Sequence, residues 1–234
     1  MLWAIPMTKI RQTIAYRAQT VLSERKEYQV FGSVYVYIKD PLPKDINMTT
    51  VISQVEQIVP IGLAQELEAI YIGQFPELVS REVKAVYKDA TIYMTNEQDS
   101  EEEVVDDIIH EIAHSVESFA GMEIYSDGFL EREFVEKRKK LLDILHNRGY
   151  NIDVIQFLDT EYSKELDYFF YKGVGYDKMA ILCIDIFPTP YSATSLREYF
   201  AVGLEEFLYG DKESLKSVSP VLYQKISNII SYFS

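Results

Sequence analysis

The stretch DSEEEVVDDIIHEIAHSVESFAG, residues 99–121, decides how this chain is read. Val105, Ile109, Ile112, Val116 and Phe119 recur in it at helical spacing and predict a core face. Glu103, Asp107, His110, His114 and Glu117 fall on a second, polar face. Glu101, Glu102 and Glu103 favour a helix N-terminus, where unpaired N–H groups carry positive charge, and Gly121 marks the predicted end. His110 and His114 stand four residues apart, so their rings project from neighbouring turns and reach one metal ion at about 2.0–2.1 Å. Glu111 is turned about 100° from His110, beside such an ion rather than on it. There it accepts a proton from a water activated by the metal, the general base of metal-assisted hydrolysis. Asp107 and Glu117 lie one turn before and one turn after the pair, as candidate carboxylate partners of the imidazoles.

A catalytic zinc takes three protein ligands and a water. The remaining histidine, His146, falls in the last turn of a predicted helix, where the ring complements the helix C-terminus. Carboxylates on the helix predicted over 195–209 are better candidates: Glu198, Glu205 and Glu206. Glu198 and Glu205 share a face, so spacing leaves the choice open.

The stretch YSATSLREYFA, residues 191–201, resembles the segment after the HExxH helix in the anthrax lethal factor catalytic domain and the Pro-Pro endopeptidases. Ile92-Tyr93-Met94-Thr95 is similar to that family's strand before the zinc helix, and Leu215 to Ile230 to its ending. The likeness covers roughly residues 68–120 and 186–231. It implies a zinc-dependent endopeptidase of zincin-like fold, with Glu198 as third Zn²⁺ ligand and Tyr191 facing the reacting carbonyl as oxyanion donor. The chain departs from the pattern twice. His114 and Glu198 are 84 positions apart, so residues 125–180 read as a helical insertion. Val202 stands where the family has a second glutamate that supports a zinc-bound histidine, and this role passes to Asp107 or Glu205. Two other readings follow: a catalytically silent zincin-fold binding protein, or a regulatory protease for one repressor-like partner.

The rest of the chain predicts a single α+β domain, with a small mixed sheet in the N-terminal half and helices in the C-terminal half. Its parts are a helix/sheet region (1–98), the zinc-binding helix (99–124), the insertion (125–180) and C-terminal helices carrying the third ligand (186–234). Ile10, Ile14, Ala18 and Leu22 predict a helix over 8–25. Val30 to Ile38 reads as a strand, 49–59 as a helix, Ala69 to Ile72 as a buried strand and 85–95 as a hairpin. Strand 91–95 is expected at an open sheet edge, where a peptide or protein substrate adds as an extended strand. Further helices are predicted over 129–147, in pieces over 151–183, and over 195–209 and 219–231. Lys137-Arg138-Lys139-Lys140 reads as a solvated helix face. Gly173-Val174-Gly175 is no nucleotide loop, since no strand precedes it.

Composition closes off other functions. With 23 basic and 37 acidic residues the net charge is −14, which disfavours sequence-independent binding to nucleic acid or to an anionic membrane. One cysteine, Cys183, permits neither an intrachain disulfide nor a cysteine-built metal site. No apolar run is long enough to span a bilayer, and the short apolar start has its basic residues after it, the wrong order for a secretory signal. The expected location is therefore cytoplasmic, or outside the cell only through processing or a non-classical export route.

Overall fold

The computed structural model describes residues 27–233; the helix predicted over 8–25 lies outside them. β1 (Glu27–Val30) and β2 (Val34–Ile38) form an antiparallel hairpin rather than one strand from Val30. The reversal uses positive φ at Phe31 and Gly32, a pairing that the run of β-formers conceals. α1 (Met48–Ile58) starts on Asn47, whose side chain accepts from Thr49 N at 3.0 Å, and stops before Pro60. β3 (Ala69–Ile72) runs parallel to β2, and a short helix, α2 (Pro76–Arg81), follows. β4 (Ala85–Lys88) and β5 (Thr91–Met94) make the predicted hairpin, turned by Asp89 and Ala90 at positive φ.

The mixed sheet has the order β1-β2-β3-β5-β4. β5 therefore lies between β3 and β4, and the edge is β4, contrary to the expectation for strand 91–95. The hairpin folds its first arm outward and covers the second. Side chains alternate across the sheet as the strand period requires. Val34, Val36, Ile70, Ile72, Ile92 and Met94 enter the core, while Tyr37, Tyr71 and Tyr93 stack on the other face with ring centroids 4.9 and 5.8 Å apart.

α3 (Glu101–Tyr125) packs against β4, β5 and α1. Ser100 Oγ accepts from Glu103 N at 3.2 Å, and Glu103 Oε2 accepts from Asp99 N at 2.6 Å, so the helix start is capped from both sides. The helix continues through Gly121 to Tyr125, one turn past the predicted end, because Ala120 and Ile124 are buried and hold the extra turn. A helical layer completes the chain: α4 (Phe129–Asn147), α5 (Val154–Leu158), α6 (Lys164–Tyr168), a π-helical turn at 169–175, α7 (Tyr176–Cys183), α8 (Leu196–Leu208), α9 (Lys212–Val218) and α10 (Pro220–Phe233). An α+β architecture with an N-terminal mixed sheet and a helical C-terminal region is what the sequence predicts; the short helices α2 and α9 are additions to it. Among the described residues no helix is long and apolar enough to cross a membrane.

The basic run on α4 is not a solvated face. Lys137 is nearly buried and Arg138 fully so, while Lys139 and Lys140 are exposed. Arg138 lies in register with Phe134, Leu141 and Leu145, so the helical period turns it into the core.

Candidate metal centre

α3 and α8 cross so that His110 and His114 face Glu198. Ser195 caps α8, its Oγ accepting from Glu198 N at 3.2 Å, which places Glu198 in the first turn of that helix. Glu198 Oε2 lies 3.0 Å from His110 Nε2 and 3.5 Å from His114 Nε2. One ligand atom from each of the three residues falls within 4.8 Å of the others, in the chemistry and separation of a divalent-metal site. Their side chains are 12–15% exposed, so the cluster opens to a cleft instead of being sealed.

The outer nitrogens are held as well. His110 Nδ1 meets Glu205 Oε2 at 3.2 Å, and His114 Nδ1 meets Glu117 Oε2 at 2.7 Å. Glu117 accepts in turn from Arg197 Nε and Nη2, at 3.1 and 3.0 Å, and from the Tyr125 hydroxyl. Asp107 does not reach an imidazole; it accepts from Gln98 Nε2 at 3.0 Å. It stands one turn from His110 on the same helix face, but its carboxylate is engaged by Gln98, and His110 Nδ1 is met by Glu205 from α8 instead. Val202, buried, sits between Glu198 and Glu205 on the cleft side of α8. Glu206 accepts from Asp211 N at the end of α8, and His146 is exposed at the end of α4, so neither belongs to the cluster.

Charges respond to this packing. Burial works against a charged ring at His110, but hydrogen bonds to Glu198 and Glu205 outweigh it and raise the group to about 10. Burial likewise opposes charge on His114, and Glu117 and Glu198 raise it to about 9. Burial alone would raise Glu198, yet its bonds to the two histidines hold it well below the usual carboxylate range. Burial raises Asp107 to about 6 and also raises Glu111. Glu111 is almost fully buried, and its Oε2 accepts from Tyr87 N of the edge strand at 2.5 Å.

The cleft encloses about 1330 Å³. His110, Glu111, Tyr191 and Glu205 lie along it with Ala85 of the edge strand, and Tyr162, Tyr168 and Tyr171 face them from the other side. Tyr191 opens a 3₁₀ turn before α8; its ring centroid is 5.8 Å from that of His110, and burial raises its hydroxyl so that the proton stays on. Sequence reading missed Arg197, Tyr125, Gln98 and the tyrosines of the far wall. Arg197 adjoins Glu198 and Tyr125 lies two turns beyond Glu117 on α3, the only signals either position carried.

A scan against family models matches none, and comparisons with curated proteins and with solved structures find no match. The site therefore stands on its own geometry: a two-histidine, one-carboxylate group fit for a divalent metal such as Zn²⁺, with a buried glutamate beside it.

Proposed function

We propose that this chain is a metal-dependent hydrolase of the HExxH class. Within that class we read it as a zinc endopeptidase with a zincin-like arrangement, of the kind the resemblance to lethal factor and the Pro-Pro endopeptidases implies. The observation that supports this is the convergence of one ring nitrogen each of His110 and His114 with a Glu198 oxygen within 4.8 Å, with Glu111 on the same helix and next to them in sequence. A donor set of two imidazoles and one carboxylate suits zinc and leaves a position for water. When bound, the ion supplies Lewis-acid polarisation and acidifies water.

The chain's own groups divide the remaining work. Glu111 receives a proton from the attacking water on its carboxylate and passes it to the departing amine. Burial favours this, since it raises the proton affinity of Glu111. The Tyr87 N–H fixes one carboxylate oxygen and so limits its rotation. Tyr191 keeps its proton and donates a hydrogen bond to the oxyanion that forms on the substrate carbonyl. Glu205 and Glu117 orient the two histidines, with Glu205 taking the role that the family assigns to the position of Val202. The substrate is an extended peptide on the outer side of β4. There Ala85 and Tyr87 turn their backbone groups away from β5, because Tyr87 N bonds outward and the pattern alternates.

Elemental analysis of protein purified without chelator tests the reading. About one zinc per chain is expected, lost in His110→Ala and His114→Ala. Glu111→Ala should keep the metal and lose cleavage of a peptide library. Full zinc in both histidine variants, or zinc loss in Glu111→Ala, would overturn the assignment of roles.

A further inference from the structure

α4 buries two cations, Lys137 and Arg138, and half-buries Glu133 beside them. Glu133 accepts from the Tyr199 hydroxyl at 2.8 Å and from Val221 N at 2.9 Å. Lys137 donates to the carbonyls of Ile186 and Val218, the latter at 2.6 Å. Arg138 donates to the carbonyls of Phe157 and Thr194, the latter at 2.8 Å, with the Phe134 and Phe157 rings 4.9 and 5.2 Å from its guanidinium carbon. Among the described residues neither cation has a carboxylate within ion-pair distance, and Arg138 Nε has no hydrogen-bond partner.

Burying a cation without a counter-charge is costly, and an apolar side chain would fill the same volume with less penalty. What the guanidinium adds is direction, because its planar fork fixes two acceptors relative to each other. Two of the four acceptors, Ile186 and Thr194, mark the loop that leads into the metal centre. Ile186 and Thr194 bracket Tyr191, and Thr194 precedes Ser195, the cap of the helix that carries Glu198. A second link joins the same two regions: Leu196 N donates to Thr160 O at 2.9 Å. Phe157 and Thr160 both belong to the stretch between α4 and α6.

We propose that Arg138 is a positioning residue for the metal centre, and that with the Leu196–Thr160 bond it ties the segment 154–160 to the turn that aims Tyr191 and Glu198. Residues 129–183 are on this view part of the site's frame and not an appendage to it. The inference rests on the zinc-site reading above. It goes further by giving a role to a residue that lies outside the ligand cluster.

Arg138→Met, Arg138→Lys and Leu196→Pro test it, each checked for folding by circular dichroism and gel filtration. Proline suits the first helical position, and Ser195 is already extended, so Leu196→Pro removes the donor while α8 keeps its start. Three quantities are measured: zinc affinity by chelator competition, the visible spectrum of the cobalt-substituted protein, and hydrogen exchange of amides 195–199 in metal-free protein. Arg138→Met should weaken zinc binding by about 10–100-fold, the scale for losing a group that orients a ligand. It should also alter the cobalt spectrum and speed exchange at 195–199. Arg138→Lys, which can restore one carbonyl bond, should fall between it and wild type, and Leu196→Pro should loosen the same amides. A folded Arg138→Met with wild-type affinity, spectrum and exchange overturns the proposal. Should that variant not fold, unchanged zinc affinity and exchange in Leu196→Pro overturns it. If wild-type protein binds neither zinc nor cobalt, the zinc reading fails, while the exchange measurement still decides whether Arg138 holds the turn.

Discussion

Glu198 Oε2 faces the Nε2 atoms of both histidines, whereas Glu205, two turns along the same helix, faces only the outer nitrogen of His110. The two glutamates are about 10.5 Å apart along the helix axis and do not serve one ion together. Glu198→Ala is therefore expected to lose zinc. Glu205→Ala should retain it with affinity lower by about tenfold, the smaller end of the range for removing an imidazole's carboxylate partner. Metal content and competition titration check both, and equal losses would mean that the ligand and its support have been exchanged. Tyr191→Phe should leave zinc bound and lower kcat by about 10²-fold, read by steady-state kinetics on a cleaved peptide. His110, Glu111 and His114 were legible because HExxH spacing and helix geometry converge on the same few atoms, whereas Glu198 and Tyr191 were what the family resemblance implied. Arg197 and Tyr125 were not, because they act through Glu117, and no spacing rule links position 117 to 197.

Helix α4 shows how an element's period outranks its composition. Four adjacent cations read as solvent-facing, yet each step turns the helix by about 100°, so two of them face inward beside Leu141 and Phe134. Burial lowers Lys137 to about 8 and pushes Arg138 down to about 9, which leaves the guanidinium charged at neutral pH. The unfolded chain holds the Lys137 proton up to the ordinary 10.5, so between about 8 and 10.5 it binds more protons than the folded protein. Stability from this group therefore rises with pH across that window and is lost as pH falls through it. Denaturant unfolding from pH 8 to 10 should show wild type gaining relative to Lys137→Met, and parallel curves would remove the buried lysine from the account. α8 and α10 depend on another element-scale condition. A Cβ on Gly203 would lie 2.4 Å from a methyl of Leu222, so Gly203→Ala should destabilise by about 1–3 kcal/mol through overpacking, measured by thermal unfolding.

Across the whole molecule, the proposed peptide binding depends on which strand lies at the sheet edge beside the cleft. β4 holds that place, and its Tyr87 N–H is already bonded to Glu111, which leaves Ala85 as the residue with a free donor facing outward. Ala85→Pro removes that donor at an edge, where proline is tolerated. It should raise KM for peptide while zinc content stays at wild-type level, and an unchanged KM would move the substrate off β4. The amino-acid sequence by itself determined the α+β class, most helix boundaries and the two histidines with the glutamate between them, since these follow from local periods, caps and ligand spacing. Glu198 as third ligand came from the resemblance and not from spacing. Only the tertiary structure decided that β4 is the edge, that Glu205 and not Asp107 supports His110, and that Lys137 and Arg138 are internal. Those outcomes depend on contacts between segments tens of residues apart, and local sequence carries no term for which of several suitable side chains packing brings into reach.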